Sequence, residues 1–199
     1  MKIGVLGGTF NPVHIGHLIL AEEVREKLGL DRVFFVPTYL APHKDNTETA
    51  DSSSRYLMVK SAIASNRFFS VSDVEIRRKG PSYTIDTIND FKKRFGKAEM
   101  YFITGSDLLT YLDEWKDLNR IIKMVKFVVA TRPGYPLADI PSYIRTVDIR
   151  AVDISAFEIR RCIRQGRSFR YLVPESVFEY ITKNKLYKPR KTEGLVRSP

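Results

Sequence analysis

The sequence predicts an α/β domain with a doubly wound, mainly parallel sheet and helices on both faces. Short apolar runs that suit buried strands alternate along the chain with stretches of helical periodicity. This alternation is typical of a parallel sheet whose crossover helices cover both of its faces. The chain has 199 residues and no internal repeat or linker, so we expect a single domain over 1–187.

The opening third of the chain predicts two strands around one helix. KIGVLG (2–7) is an apolar run that ends in glycines and suits a buried strand. A helix is expected over 14–29, because apolar residues recur there every three or four positions and a glycine closes the last turn. RVFFVP (32–37) is the next predicted strand, and its apolar run stops at a proline. The polar loop over 38–53 is long enough to be either disordered or a functional flap.

The remaining chain continues the same alternation. Further helices are predicted by their apolar stripes, over 54–65, 82–95, 156–166 and 174–187. Extended segments are predicted over 68–76, 98–105, 126–132 and 146–155. A helical stretch that carries Trp115 lies between the strands at 98–105 and 126–132. Ser155 is a good N-cap for the helix that follows it.

Composition indicates an ordinary globular protein of a reducing compartment. Apolar residues make up 43% of the chain and charged residues 28%. Cys162 is the only cysteine, which excludes a disulfide within the chain and a metal cluster built on cysteine alone. The opening segment is too short in its apolar part for a signal peptide, and no stretch approaches the ~18 apolar residues of a membrane span. We therefore expect a cytoplasmic protein.

The formal net charge of +10 suits a partner with negative charge, such as nucleic acid, an anionic membrane or a small polyphosphate. Part of the excess comes from five arginines in one short segment: Arg160, Arg161, Arg164, Arg167 and Arg170. The segment 188–199 is also basic and has almost nothing apolar to bury, so we expect a solvated, flexible tail.

The segment between the first strand and the first helix, GGTFNPVHIGHL (7–18), carries the densest functional signal. In a doubly wound sheet this connection lies at the carboxyl ends of the strands, where nucleotides bind. Gly7 and Gly8 allow close approach of the backbone to a ligand. The N-terminus of the following helix offers N–H groups and a partial positive charge to an anion.

His14 and His17 are three residues apart and therefore share a face near this helix start, with Gly16 keeping the surface open between them. Imidazoles donate hydrogen bonds to phosphoryl oxygens, so the pair predicts a phosphate site. The structural alternative is that the glycines serve packing and the histidines cap the helix or fill space. Zinc binding by the pair and a third ligand is not supported by any HExxH-type motif. The glycine spacing differs from GxGxxG, which disfavours a dinucleotide oxidoreductase.

GGTFNPVHIGHL resembles the HxGH signature of nucleotidyltransferases, and the chain from Met1 to about Tyr187 is most similar to bacterial nicotinate-nucleotide adenylyltransferases. The resemblance implies a Rossmann-like fold and transfer of AMP from ATP to nicotinate mononucleotide, giving deamido-NAD and pyrophosphate. It implies His17 and His14 as catalytic residues. It also implies Mg²⁺ held mainly by ATP and water, with no metal site built from protein side chains.

Later segments match the same family in order: PHK (42–44), SYTIDT (82–87), GSD (105–107), RPG (132–134) and ISAFEIRR (154–161). The resemblance implies a set of ATP-binding residues: Gly8, Thr9, Phe10, His14, His17, Gly105, Asp107, Arg132, Ser155, Ile159 and Arg160. It implies that the mononucleotide is contacted by Lys44, Thr84 and Trp115. Phe157 departs from the pattern, because the family usually has Thr or Ser there, so one hydroxyl contact is lost or supplied elsewhere.

Each later residue also has an ordinary structural interpretation. Trp115 taken alone is more typical of a core aromatic, Asp107 of a helix cap and Thr84 of a turn. Lys44 and Arg160 are typical of solvated charge, and for His43 neither interpretation prevails. Their occurrence together in family order is what favours function.

Two other functions stay open. The nearer one is an adenylyltransferase for nicotinamide mononucleotide or another phosphate ester. The more distant one is a basic nucleic-acid-binding module, although interleaved aromatics and RNP-like motifs are absent from the sequence. We expect ATP and nicotinate mononucleotide as partners, with no stable nucleic-acid partner and no membrane, and a homo-oligomer is left open.

Overall fold

A computed structural model describes residues 1–42, 48–105, 109, 112–130, 140–150 and 152–189. Its strands form one sheet and are β1 (Lys2–Gly8), β2 (Arg32–Pro37), β3 (Phe69–Val71), β4 (Glu99–Gly105), β5 (Lys126–Ala130) and β6 (Ile144–Val147). They lie in the order β3-β2-β1-β4-β5-β6, and every neighbouring pair is parallel. The predicted parallel sheet is confirmed.

The described helices cover both faces of this sheet. They are α1 (Ile15–Leu28), α2 (Ser52–Ala62), α3 (Val74–Arg78), α4 (Thr84–Phe95), α5 (Leu118–Met124), α6 (Ala156–Arg164) and α7 (Glu175–Lys183). Buried residues of α1, α2, α6 and α7 share one hydrophobic cluster, and those of α4 and α5 share another. The chain is therefore doubly wound in the Rossmann-like manner, as predicted.

Alternation along the strands explains why both clusters form. In β2, Val33 and Phe35 join the cluster beneath α1, whereas Phe34 and Val36 join the cluster beneath α4. Successive side chains of a strand point to opposite faces, so a strand covered on both sides must be apolar throughout. This is why the central strands appear in the sequence as continuous apolar runs.

The order of the strands locates a crevice between β1 and β4. From β1 the chain first winds outward through β2 and β3, and it then returns to the other side for β4, β5 and β6. Such a reversal leaves a crevice at the carboxyl ends of the two central strands. Gly8 ends β1 and Gly105 ends β4, so the structure brings these two predicted site residues to the same edge of the sheet.

The extended segment predicted over 68–76 is wrong in its second half. The strand covers only Phe69–Val71, and α3 follows at Val74. Ser72 gives the last backbone hydrogen bond to Phe35, and its hydroxyl then accepts from the N–H of Val74 at 3.4 Å. The Ser72 side chain therefore turns the chain into a helical turn, because serine competes for backbone groups at strand ends.

The segment predicted as extended over 146–155 is also corrected. β6 covers Ile144–Val147, and its pairing ends where Val147 lies opposite Ala130, the last residue of β5. Beyond that point the described residues of 148–154 have no strand partner, so their loose alternation does not make a strand. Other boundaries of predicted helices and strands differ from the structure by a few residues.

Among the described residues, no helix has the length and apolar character needed to cross a membrane. Most of the predicted tail, residues 190–199, lies outside the described part of the chain. The division into a domain over 1–187 and a tail over 188–199 therefore stays a prediction.

Candidate active site

The turn after β1 is shaped by Phe10. Its backbone adopts a left-handed φ of 48°, and the residue is 2% exposed. A Cβ atom at Gly8 would lie only 3.1 Å from the Phe10 ring, so a larger residue 8 would press on this ring. Phe10 also packs edge-on against the His17 ring, with 5.0 Å between centroids. The turn thus packs against the His17 ring, and Phe10 as a whole is almost inaccessible for the predicted ATP contact.

The two histidines lie against each other at the start of α1. His14 is the N-cap residue in an extended conformation, and His17 occupies the third helical position. Their ring centroids are 3.7 Å apart with an interplanar angle of 34°. His14 is buried at 7% exposure, whereas His17 is partly exposed. Both predicted catalytic side chains therefore meet at the carboxyl end of β1.

A backbone hydrogen bond sets the tautomer of His17. The N–H of His14 donates to Nδ1 of His17 at 3.2 Å. Because Nδ1 acts as the acceptor, the neutral ring carries its proton on Nε2. His17 therefore keeps one N–H donor even when it is uncharged.

The hydrogen side chain of Gly16 leaves room for the neighbouring imidazole. A Cβ atom at this position would lie 3.1 Å from Nδ1 and 3.2 Å from Cε1 of His14. The sequence suggested that Gly16 leaves room for a bulky ligand, and the structure shows that it first leaves room for the His14 ring. A side chain at position 16 would therefore press on one ring of the histidine pair.

The N-terminus of α1 is only partly free to bind an anion. The N–H of Ile15 donates to the carbonyl of Leu172 at 3.1 Å, so this first helical donor is already used within the protein. The partial positive charge of the helix start is still directed toward the crevice.

Arg160 connects the segment ISAFEIRR (154–161) to the turn that follows β1. Its Nη1 donates to the carbonyl of Asn11 at 2.8 Å. The Nε atom is buried and has no hydrogen-bond partner among the residues that the structure describes. Burial lowers the pKa of Arg160, and the nearby Tyr187 and Glu48 partly oppose this effect. A guanidinium nevertheless stays charged at neutral pH. A cation is therefore held beside residues 9–17, which lead from β1 into the start of α1, carry both histidines and are called the histidine turn below.

The start of α6 combines a cap with a departure from the family pattern. Ser155 caps the helix, since its hydroxyl accepts from the N–H of Glu158 at 3.1 Å. Phe157 is 56% exposed, and its ring centroid lies 6.0 Å from the guanidinium carbon of Arg160. Ile159 is fully buried in the core beneath α1, so its side chain is not available to a ligand.

The segments predicted to contact the mononucleotide are also brought together. Thr84 is the first residue of α4 and is partly exposed. Trp115 packs edge-on against Phe102, with ring centroids 5.5 Å apart. The Nζ atom of Lys116 lies 4.6 Å from the ring centroid of Tyr83. The turn that carries Trp115 therefore touches the start of α4, and Trp115 itself is both a core contact and partly exposed.

Several predicted site residues lie outside the described residues: His43, Lys44, Asp107 and Arg132. Their assignments stay predictions. The expectation that no metal site is built from protein side chains also stays a prediction, although among the described residues no three His, Cys, Asp or Glu side chains are arranged to hold an ion.

Arg55 is a buried residue beside the site that the sequence analysis did not single out. It is 1% exposed and lies within α2. Its guanidinium donates to the backbone carbonyls of Thr9, Tyr39 and Ala50, at 2.8, 3.2 and 2.9 Å. A signal was available, because Arg55 shares the buried stripe of its helix with two apolar residues, Met58 and Val59. A lone arginine on such a stripe indicates a buried polar network.

Comparison with known proteins adds independent support. A family model described as cytidylyltransferase-like matches residues 5–162. A protein of Thermoanaerobacter sp. (strain X514), named "probable nicotinate-nucleotide adenylyltransferase", is 42% identical over 207 residues. The alignment covers 98% of this chain and 98% of that protein. A protein of Rubrobacter xylanophilus with the same name is 44% identical over 206 residues, covering 98% of this chain and 96% of its own.

The fold also has a counterpart among solved structures. The nicotinic acid mononucleotide adenylyltransferase of Plasmodium falciparum, complexed with NaAD, superposes with a TM-score of 0.78. The match covers 94% of this chain and 97% of that one at 18% sequence identity, so it supports the fold.

Proposed function

The chain belongs to the cytidylyltransferase-like family and, within it, to the nicotinate-nucleotide adenylyltransferases, and we propose that it joins ATP to nicotinate mononucleotide at the histidine turn. The products are deamido-NAD and pyrophosphate, as required for NAD biosynthesis. One observation carries the assignment of the site: the stacked His14 and His17 rings lie at the carboxyl end of β1, and Arg160 is bonded to the same turn.

The reaction is an in-line displacement at the α-phosphorus of ATP. A phosphate oxygen of the mononucleotide forms a new P–O bond there, and the bond to the β-phosphate oxygen breaks to release pyrophosphate. The attacking phosphate is already ionised at neutral pH, so neither a general base nor a covalent intermediate is needed. Catalysis then consists of aligning two anions and stabilising the charge on the transferred group.

His17 is the proposed donor to the α-phosphoryl oxygens. Its Nε2 carries the proton, because Nδ1 is occupied by the N–H of His14. A donor whose tautomer is fixed in advance needs no reorganisation as charge develops in the transition state. His14, stacked beside it, holds the His17 ring in place.

Cations around the turn would offset the repulsion between two phosphorylated substrates. We assign this task to Arg160, and on the basis of the family resemblance also to Lys44 and Arg132, which lie outside the described residues. The start of α6 at Ser155 would receive part of the triphosphate. Backbone N–H groups near Thr84 or Trp115 would select the carboxylate of nicotinate over an amide.

Mg²⁺ accompanies ATP in this proposal. We take the ion to be coordinated mainly by phosphate oxygens and water, as the family resemblance implies. When bound, the ion neutralises phosphate charge, and the protein side chains align the substrates.

We also propose a cytoplasmic location, supported by a fold that has a single cysteine and so needs no disulfide.

The function is tested by pyrophosphate release with ATP and either nicotinate or nicotinamide mononucleotide. We expect the nicotinate form to react far faster, and dominant use of the amide would overturn the substrate assignment. A salt-sensitive complex with nucleic acid, without pyrophosphate release from any mononucleotide, would instead favour a binding module.

The site is tested by His17→Ala. Loss of one preorganised donor typically lowers turnover by about 10²–10³-fold, and we expect this range. Lys60→Ala, an exposed change on α2, is the control and should retain full turnover. A folded His17→Ala protein with near-normal turnover would remove His17 from its proposed role.

A further inference from the structure

Arg55 joins three segments of backbone that are distant in the sequence. Its Nη1 donates to Thr9 in the histidine turn, its Nη2 to Tyr39 after β2, and its Nε to Ala50 before α2. A guanidinium is planar, and its N–H groups have fixed directions. Three simultaneous bonds therefore fix the positions of these three carbonyls relative to one another.

These three segments frame the proposed mononucleotide site. Tyr39 and Ala50 flank the two ends of the loop that contains Lys44, which itself lies outside the described residues. Asn11 reinforces the far end of this loop, because its side chain accepts from the N–H of Ala50 at 3.0 Å and donates to the carbonyl of Glu48 at 3.3 Å. The loop is thus fastened to the histidine turn on both sides.

The near end is also fastened to the start of α4. The N–H of Tyr39 donates to the hydroxyl of Ser82 at 2.9 Å, and the N–H of Ser82 donates to the carbonyl of Leu40 at 2.9 Å. Thr84, a predicted substrate contact, follows two residues later. The contacts of Arg55 therefore reach both proposed halves of the site, the histidine turn and the approach to α4.

Stability alone does not explain a buried guanidinium here. Within the described part of the chain, Arg55 makes no direct ion pair, and its bonds go to neutral carbonyls. Burial lowers the pKa of Arg55, which reflects the cost of keeping its charge away from water, and nearby acidic groups only partly offset this cost. An apolar side chain of similar volume often stabilises a core better than a buried charge does. The geometry that Arg55 imposes is then its main contribution.

We propose that Arg55 is a positioning residue for adenylyl transfer, which fixes Tyr39 and Ala50, at the two ends of the segment that joins β2 to α2, against Thr9 in the histidine turn. This inference rests on the proposed function and names a residue that acts without touching either substrate. Misplacing an attacking group by about 1 Å can cost up to about 10²-fold in rate. Loosening the loop should therefore impair the mononucleotide more than ATP.

Steady-state kinetics of Arg55→Lys, with each substrate varied in turn, separates positioning from stability. Lysine keeps the charge but cannot bond three carbonyls in one plane. We expect kcat to fall by at least about tenfold and the KM for nicotinate mononucleotide to rise by a similar factor, while the KM for ATP stays within about twofold. Met58→Ala is the matched control, a fully buried change on the same helix, and should lower stability while leaving both KM values unchanged.

A second variant and a second readout keep the test decisive. Asn11→Ala removes the bonds to the 48–50 segment without altering a buried charge, and it should raise the KM for the mononucleotide in the same direction. Amide hydrogen exchange at 39–42 and 48–50 should be faster in both variants, whether or not the wild-type protein releases pyrophosphate. If the wild-type protein is inactive but both variants exchange faster, only the proposed adenylyl transfer to the mononucleotide is refuted. Unchanged mononucleotide KM in both variants of an active enzyme, or unchanged exchange, would refute the positioning role.

Discussion

The guanidinium of Arg160 is bonded to the carbonyl of Asn11, 149 positions earlier in the chain, at a distance of 2.8 Å. This bond joins the two signature segments of the sequence, because Asn11 lies between the Phe10 turn and His14. A cation on α6 is thereby fixed at the helix start that carries the imidazoles. Among the described residues, the hydrogen bond of Arg160 goes to the backbone of the first turn and none goes to a carboxylate.

Replacing Arg160 with alanine should chiefly raise the KM for ATP. Hydrogen bonds to charged groups contribute about 1.5–3 kcal/mol, so we expect a rise of about 10- to 150-fold. Arg161→Ala is the matched control, because the neighbouring side chain is exposed and pairs with Glu158. If the KM for ATP of the Arg160→Ala enzyme equals that of wild type, Arg160 does not bind ATP and serves only the structure.

Gly16→Ala should separate activity from stability. Alanine in a helix is ordinarily more stable than glycine by about 1 kcal/mol, yet the added methyl group here meets the His14 ring at 3.1 Å. We expect turnover to fall by about tenfold or more as the ring shifts, with a free energy of unfolding within about 1 kcal/mol of wild type.

Gly29→Ala serves as the opposite case. Gly29 ends α1 with a φ of 61° and nothing close to its missing Cβ, so alanine there should lower stability by about 1 kcal/mol and leave turnover unchanged. Both values come from urea unfolding curves and initial rates. Normal turnover in Gly16→Ala would show that the His14 position is not critical.

The Phe10 turn shows how far sequence reasoning reaches. Strand, turn and helix were predictable from local patterns, and so was the meeting of Gly8, Gly105 and the histidines at one edge of a parallel sheet. The reasons for the glycines were not predictable, because they depend on how the Phe10 and His14 rings pack in three dimensions.

Arg55 and α3 were missed for a related reason. The periodicity of α2 is visible in the sequence, but the carbonyl partners of Arg55 come from three separate segments. The helical turn of α3 begins beside a hydrogen bond from the N–H of Val74 to the Ser72 hydroxyl, within a segment whose composition is typical of a strand. In both cases the structure of the residue or segment is set by contacts between distant parts of the chain, which local sequence patterns do not show.

Ser155→Asp tests whether phosphate lies at the start of α6. Aspartate caps helices as well as serine does, so the free energy of unfolding should change by less than about 1 kcal/mol. Its negative charge should repel the triphosphate, and we expect the KM for ATP to rise by about tenfold or more. Ser155→Ala is the companion variant and should lose about 1 kcal/mol of stability from the missing cap. Unchanged ATP kinetics in Ser155→Asp would limit Ser155 to capping.

The single tryptophan should report binding of the mononucleotide. Trp115 packs edge-on against Phe102 and remains partly exposed beside the start of α4. A pyridine ring on its exposed side would quench the intrinsic fluorescence, whereas ribose 5-phosphate would not. Trp115→Phe should abolish the signal and raise the KM for the mononucleotide about two- to tenfold, the range given by an aromatic contact of about 0.5–1.5 kcal/mol. If the fluorescence does not change when the mononucleotide is added, Trp115 is only a core residue and does not contact the substrate.

Glu75 should make stability fall as pH rises. It is 5% exposed on α3, and its carboxylate accepts from the Thr87 hydroxyl at 2.5 Å. Burial raises the pKa of Glu75 and outweighs the opposing effects of Thr87 and Arg78. The native state therefore holds the proton to a higher pH than the unfolded chain, in which the pKa is about 4.3. Between these two pKa values the native state binds more protons, so each unit of pH removes stability there.

Glu75→Gln removes this titration but keeps an acceptor for the Thr87 hydroxyl. Relative to wild type, the variant should therefore become progressively more stable as the pH rises above about 4.3, by about 1.4 kcal/mol for each unit that separates the native and unfolded pKa values. Urea unfolding at several pH values from 4 to 8 measures the difference, with Glu179→Gln on the exposed face of α7 as the control. A difference between Glu75→Gln and wild type that stays constant over this range would show that the pKa of Glu75 is the same in the native and unfolded states.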